Sequence, residues 1–297
     1  MPEVDVVIVS YNSRAYLRTA VQPLAQDGDL AVIVVDNASR DSSLETVKDL
    51  PIATFAEPTN GGFASGCNRG WRAGSSPVVV FLNPDAVTDP EDLKALAAVL
   101  AEDETVGAVA PRILESDGST APSLRRFPRL RSTYARAFFL HRVFPDASWA
   151  DELIHDPAAY EVPGSPEWAS GACLAVRRRD LERLDGLDER FFMYREDVDL
   201  CLRLRALGLT VRYEPGAVVR HVGGASAPRS SLYAVLATSR IRFAKKHRSR
   251  AAALAERAGV ALEALTHVVV SQGGRSARAG HARALAAALA GGAPPPA

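Results

Sequence analysis

The chain has 297 residues, 47% of them hydrophobic, enough for one large α/β domain with a buried core and a smaller appendage. Its 35 lysines and arginines balance 35 aspartates and glutamates, so no global field directs it to nucleic acid or to a membrane, and any electrostatic site must be local. Cys67, Cys173 and Cys201 are far apart and odd in number, without paired metal-ligand spacing, and read as small buried residues in a reducing compartment. No basic start precedes the first apolar run, and no run reaches the about 20 residues that span a bilayer, so a cytoplasmic protein is expected, with membrane contact only from the surface.

Short β-branched runs at residues 6–9, 32–35 and 78–82 read as buried strands, with weaker ones at 52–55 and 106–110. Between them lie helical patterns. Leu17, Val21 and Leu24 share a face, residues 41–50 are amphipathic, and 89–100 open on Asp89-Pro90, a cap followed by a first-turn proline. This alternation is the mark of a mainly parallel sheet with helices packed on it. The strands end in polar turns at Ser10-Tyr11-Asn12, Asp36-Asn37 and Asn83-Pro84-Asp85, and ligands of open α/β sheets bind beyond such carboxyl ends.

From residue 112 to 167 periodicity weakens, which indicates a long excursion with a short helix near 133–144, expected to shape an acceptor side. Residues 168–176 then read as a strand, 179–184 as a short helix, 197–207 as a longer one, and 210–213 and 217–221 as strand segments. The domain boundaries expected are 1–225 for the α/β domain, 226–290 for a C-terminal helical extension (helices at 232–246 and 250–266, a weaker one at 282–289) and 291–297 for a disordered tail.

Several residues carry chemistry. Asp36, after a second strand, is placed either to accept hydrogen bonds from a nucleobase or ribose or to cap the helix that follows, together with Asp41. The same two readings apply to Ser10, Tyr11 and Asn12. Between Asn60 and Asn68, Gly61 and Gly62 allow close backbone approach at a helix start, with Asn68 about two turns along. Asp85 is either a metal-binding acid aimed at a diphosphate or a turn acid, and His221 either a second ligand or a structural histidine. Glu196, Asp197 and Asp199 complement a helix dipole on the bland reading. Three acids in four residues beside Phe191, Phe192 and Tyr194 are more than a dipole needs, and Asp197, with Glu196 second, is the candidate general base for a sugar hydroxyl.

Taken together, Val9-Ser10-Tyr11-Asn12, Val35-Asp36-Asn37-Ala38-Ser39 with Asp41, the stretch from Asn60 to Asn68, Leu82-Asn83-Pro84-Asp85 and the run from Gly186 to Asp199 resemble glycosyltransferase family 2, over roughly residues 4–226. The resemblance implies a GT-A (Rossmann-like) α/β fold, a mixed and mostly parallel sheet flanked by helices, and an inverting transfer from a nucleotide sugar. By position it implies Asp36 and Asn37 on the nucleotide, Asp85 on a Mg²⁺ or Mn²⁺ ion, His221 near metal and diphosphate, and Asp197 as base. Trp168 and Gly171, in the Trp-Ala-Ser-Gly-Ala-Cys segment, look like the lining for acceptor and donor sugar. Asn83 replaces the first acid of the Asp-x-Asp found in many GT-A enzymes, a form similar to the rhamnosyltransferase-like branch. That branch implies dTDP-L-rhamnose as donor and a glycan or polyprenyl-diphosphate-linked sugar as acceptor in cell-surface polysaccharide assembly.

The alternatives are a UDP-hexose donor or a non-catalytic sugar-nucleotide or glycan-binding protein, which would not need Asp85 and Asp197 together. A sugar nucleotidyltransferase would open on a glycine-rich basic loop instead of Ser10-Tyr11-Asn12. Finally, Leu232, Val235, Leu236, Ile241 and Phe243, with Arg240, Arg242, Lys245, Lys246, His247, Arg248 and Arg250, form either a helix that docks on anionic lipid or one that packs on the protein.

Overall fold

The computed structural model describes residues 3–221, 229–270 and 274–292. In chain order its elements are β1 (Val4–Ser10), α1 (Leu17–Val21), β2 (Leu30–Asp36), β3 (Ala53–Ala56), α2 (Phe63–Ala73), β4 (Val78–Leu82), β5 (Ala86–Val87), α3 (Pro90–Glu102), β6 (Val106–Leu114) and β7 (Leu124–Arg125). There follow α4 (Leu130–Ala137), α5 (Leu140–Val143), β8 (Trp168–Ala169), β9 (Cys173–Arg177), α6 (Arg178–Arg183), α7 (Glu196–Ala206), β10 (Thr210–His221), α8 (Arg229–His247), α9 (Arg250–Val270) and α10 (Gly274–Leu289). They divide into two units: Met1–Arg125, Asp156–Arg190 and Glu196–Ser226 form the first, and Arg126–His155, Phe191–Arg195 and Ala227–Ala297 the second. The boundary expected near residue 225 lies outside the described residues, as does most of the expected tail, 293–297. Residues 126–155, expected within the first domain, group instead with the C-terminal helices.

The first unit is built on an eight-stranded sheet of order β3-β2-β1-β4-β9-β6-β10-β5. Its β3-β2-β1-β4 half is parallel, as is β6 with β10, while β9 runs antiparallel between β4 and β6. All seven residues of β1 and all five of β4 are buried, which is why these runs read as continuous apolar strands instead of alternating ones. Helix α3 turns Leu93, Leu96 and Leu100 into the core, the i, i+3, i+7 face of an amphipathic helix. Two glycines bring α2 close to β1: a Cβ on Gly66 would lie 2.6 Å from Val9 and one on Gly70 would lie 2.3 Å from Val7. That close approach sets the N-terminus of α2 beside the carboxyl ends of β1 and β2.

The structure corrects several local expectations. Residues 41–50 form only a 3-10 turn, Ser43–Thr46, because the Asp41 carboxylate accepts from the backbone of Arg14 (2.9 Å) and Ser43 (3.1 Å) and so competes with a helix. Residues 168–176 are two strands, β8 paired with β7 and β9 in the main sheet, separated by the turn Ser170-Gly171-Ala172. The segments 210–213 and 217–221 belong to one strand, with a register shift between Glu214 and Val218. The expected helix at 133–144 is broken between α4 and α5, where Phe139 has φ +58°.

In the second unit α8, α9 and α10 pack around a small apolar core that includes Ala237, Ile241, Val260 and Ala264, and α4 packs on α9. Charge is buried here too. Arg240 donates to Glu263 (2.6 Å) and to the Thr133 hydroxyl (3.2 Å), and Arg248 donates to Glu256 (2.8 Å) and to the Pro128 carbonyl (2.7 Å). Burial disfavours the Glu263 carboxylate, but Arg240 and then Arg136 outweigh it and hold its pKa at about 2. The reading of residues 232–250 as a membrane-docking face is therefore corrected. Ile241 and Phe243 are buried, and Arg240 and Arg248 are spent on internal carboxylates. Helix α10 is longer than the weak helix expected at 282–289, in keeping with its alanine and arginine content.

Candidate active site

Three polar turns at the carboxyl ends of β1 and β2 and the start of α2 are joined into one rim. Ser10 and Asp36 stand side by side in the parallel register. The two Asp36 oxygens accept from the Ser39 backbone N–H (2.9 Å) and hydroxyl (2.5 Å), so the carboxylate forms the turn that follows β2 instead of capping a helix. Asn12 closes this turn from the other strand: its N–H donates to Ser39 Oγ, and its Oδ1 accepts from Arg40 N–H, each at 2.9 Å. Asn37 Nδ2 donates to the Gly62 carbonyl (2.8 Å), and Asn60 Oδ1 accepts from Gly62 N–H (2.9 Å). Gly62, at φ +91°, is the residue that turns the chain into α2, a conformation that disfavours a side chain. Gly61 lies beside the Ser65 hydroxyl. Tyr11 is partly exposed on the rim, and Ser10 is buried with no hydrogen-bond partner for its hydroxyl among the described residues.

The second group follows β4. His221, the last residue of β10, faces Ala86 in the antiparallel pairing of β10 with β5. Its Nε2 lies 3.2 Å from Asp85 Oδ1 and 3.1 Å from Asn83 Nδ2. Two ligands at roughly 2.1 Å from an octahedral ion, set at right angles, stand about 3 Å apart, so the Asp85 oxygen and the His221 nitrogen fit two neighbouring positions on one divalent cation. Among the described residues no cluster of three or more histidine, cysteine or acidic side chains occurs, so such an ion would draw its other ligands from diphosphate and water.

The turn between β8 and β9 links this group to the acidic segment. The Asn83 N–H donates to the Ala172 carbonyl at 2.9 Å, and the N–H of the adjacent Gly171 donates to Asp197 Oδ2 at 3.1 Å. The other Asp197 oxygen accepts from Val198 N–H at 2.8 Å. A Cβ on Gly171 would meet Asp197 Cβ at 3.3 Å, which accounts for a small residue there. Asp197 is partly accessible at the start of α7, whereas Glu196 is buried. Burial, with the Glu196 charge as a second cause, raises the Cys67 thiol well above its ordinary range. Trp168 is also buried, with the Arg125 guanidinium 5.1 Å from its ring centre, so it supports the β7–β8 strand pair from within.

Asp199 and Asn68 have other work. Asp199 is fully buried and accepts from Arg203 Nε at 2.7 Å, while the remaining Arg203 nitrogens donate to the carbonyls of Leu184 and Gly186, both at 2.9 Å. Arg203 was not singled out from sequence, although the i, i+4 spacing of an acid and an arginine is a readable signal. Asn68, expected near the nucleotide, is instead turned toward the same loop. Its Nδ2 donates to Leu187 O and Glu189 Oε1, both at 2.8 Å, and its Oδ1 accepts from Leu187 N–H and Trp71 Nε1, both at 2.9 Å. The amide is saturated, and Asn68 holds the loop that leads toward the acidic segment.

The motifs thus converge, and comparison with known proteins agrees. The sequence model of Glycosyl transferase family 2 matches residues 5–162. The chain belongs to this family. It is 32% identical, over 73% of its length and 75% of the relative's, to the N-acetylglucosaminyl-diphospho-decaprenol L-rhamnosyltransferase of Mycobacterium tuberculosis strain H37Rv. It is 27% identical to the rhamnosyltransferase WbbL of Escherichia coli strain K12, over 71% of this chain and 80% of that one. Among solved structures the fold is similar to the mannosyltransferase PcManGT from Pyrobaculum calidifontis in complex with GDP-Man and Mn²⁺, with a TM-score of 0.58, 19% identity, and coverage of 97% of this chain and 87% of that one. The fold is GT-A, the family is one of glycosyltransferases, and the chain is similar to the two rhamnosyltransferases.

Proposed function

We propose that the protein is a metal-assisted, inverting rhamnosyltransferase that moves L-rhamnose from dTDP-L-rhamnose to a hydroxyl of a glycan or polyprenyl-diphosphate-linked N-acetylglucosamine acceptor in cell-surface polysaccharide assembly. The observation that carries this reading is the Gly171-Ala172 turn, which bonds to Asp197 on one side and to Asn83, beside Asp85 and His221, on the other. A base for the acceptor and a seat for the departing diphosphate thereby stand on one support. The names of the two relatives above support the choice of sugar and acceptor.

In this reading the rim of Ser10, Tyr11, Asn12, Asp36, Asn37, Asn60, Gly61 and Gly62 receives the nucleotide. Asp85 and His221 would hold Mg²⁺ or Mn²⁺, which when bound neutralises charge on the leaving diphosphate. Asp197 takes the proton of the acceptor hydroxyl as its oxygen bonds to the anomeric carbon and the carbon–oxygen bond to the diphosphate breaks; attack opposite the leaving group inverts the centre. Glu196 is the weaker candidate for base because it is buried. We assign catalysis to the first unit, which holds Asp85, Gly171, Asp197 and His221. The buried free thiols of Cys67, Cys173 and Cys201 fit a cytoplasmic location, where nucleotide sugars are present. No described helix is long and apolar enough to cross a membrane.

The test is release of nucleotide diphosphate from dTDP-, UDP- and GDP-sugars with and without a lipid-diphosphate acceptor, joined to calorimetric titration of dTDP and UDP and to the anomeric configuration of the product. Preference for dTDP and acceptor-dependent release with inversion are expected. Preference for UDP would assign a UDP-hexose donor, GDP would overturn the nucleotide assignment, and binding without turnover would favour a sugar-nucleotide or glycan-binding protein.

A further inference from the structure

One end of the helical unit combines exposed apolar side chains with a surface richer in arginine than in acids. Val143 of α5 and Val269 at the end of α9 are 66% and 71% exposed, and Phe138, Phe144 and Val270 are exposed near them in the chain. These segments meet: Phe139 and His267 have ring centres 4.5 Å apart, and the Thr266 hydroxyl donates to the Ala137 carbonyl at 2.9 Å. Arg142, Val270, Ala277 and His281 line one cavity of about 510 Å³, which places α5, the end of α9 and the first half of α10 around one opening.

The charge there is one-sided although the chain as a whole is neutral. No acid occurs between Asp117 and Asp146 or anywhere after Glu263, whereas Arg131, Arg142, Arg275 and Arg278 are exposed. The acid on the cavity wall, Glu263, is already committed to Arg136 and Arg240. Asp146 is the nearest acid along the α5 segment. A protein partner would need a matching acidic and apolar face, whereas an anionic bilayer offers phosphate charge and an apolar layer in that order.

We propose that this surface docks on an anionic phospholipid bilayer. Val143, Phe144, Val269 and Val270 enter the boundary between headgroups and acyl chains, and Arg142, Arg275 and Arg278 lie against lipid phosphates. The proposal is independent of which sugar the enzyme transfers. It differs from docking by residues 232–250, whose apolar side chains include the buried Ile241 and Phe243.

The experiment is flotation of the full chain with vesicles of phosphatidylcholine alone or of equal parts phosphatidylcholine and phosphatidylglycerol, at low and high salt. Salt-sensitive partitioning into the anionic vesicles is expected. At about fivefold per basic residue, R275Q/R278Q should weaken it about 25-fold, V143E/V269E should weaken it at least about tenfold, and K245Q/K246Q should retain it. All these positions are exposed or partly exposed, and unchanged thermal unfolding and dTDP titration verify that each variant is folded. Three results would each overturn the proposal: no partitioning into anionic vesicles, full partitioning of V143E/V269E, or a wild-type dimer in light scattering that V143E/V269E converts to monomer, since a second copy would then cover this face.

Discussion

Asp197→Asn is the sharpest probe of the chemistry, because it preserves volume and removes a proton acceptor. In the structure both oxygens of this side chain accept from backbone, Oδ2 from Gly171 at 3.1 Å and Oδ1 from Val198 at 2.8 Å. An asparagine has one acceptor, so its amide nitrogen must face one of these two N–H groups. The side chain is partly open to solvent, where water can replace the lost partner, so the stability cost should sit near the low end for an unmade hydrogen bond, about 1 kcal/mol. Loss of a general base costs roughly 10²–10⁴ in rate, about 3–5 kcal/mol in barrier, well beyond the structural effect. The assay is nucleotide diphosphate release under saturating donor and acceptor, with dTDP titration and thermal unfolding alongside. Turnover should collapse while donor affinity and melting temperature hardly move. Turnover within tenfold of the parent, with Glu196→Gln inactive, would refute the assignment of Asp197 and move the base to Glu196.

Excess chelator should stop turnover, and both Asp85→Ala and His221→Ala should weaken Mn²⁺ binding in calorimetry; full activity in chelator would contradict metal assistance. Asn68→Ala strips partners from the Leu187 N–H and carbonyl and from Trp71 Nε1, which at about 1–3 kcal/mol each predicts a loss of about 3–9 kcal/mol in chemical denaturation, with little change in dTDP affinity where the protein remains folded. Lost dTDP affinity at unchanged stability would return Asn68 to the nucleotide. The pKa of Glu263 is depressed to about 2 by Arg240 and Arg136 against the opposing effect of burial, so its contribution to the helical unit is present above the ordinary glutamate pKa and is lost as pH falls toward 2. That contribution is on the order of 3 kcal/mol, and Glu263→Gln should flatten the acid limb of a stability–pH curve; an unchanged limb would count against it.

Where polar residues follow buried β-branched runs, linear order alone was enough to locate the polar rim after β1 and β2 and the Asn83-Pro84-Asp85 turn. A strand buried on both faces must end before its polar residues, and in a parallel sheet those ends lie on one side. Asp197 was legible for a similar local reason, since acids at a helix start are short-range features. Other properties depend on partners distant in sequence. Asn68 meets Leu187 across 119 residues, and nothing in its helical spacing tells whether its amide faces ligand or loop. The turn at Gly171, which split an expected strand in two, takes its reason from Asn83 and Asp197, one before it and one after it in the chain. The basic stretch from Arg240 to Arg250 read as a surface by composition, but Glu256 and Glu263 on the next helix draw Arg240 and Arg248 inside. Periodicity records which residues share a face, whereas burial of a charge is decided by the counter-charge that another element brings to it.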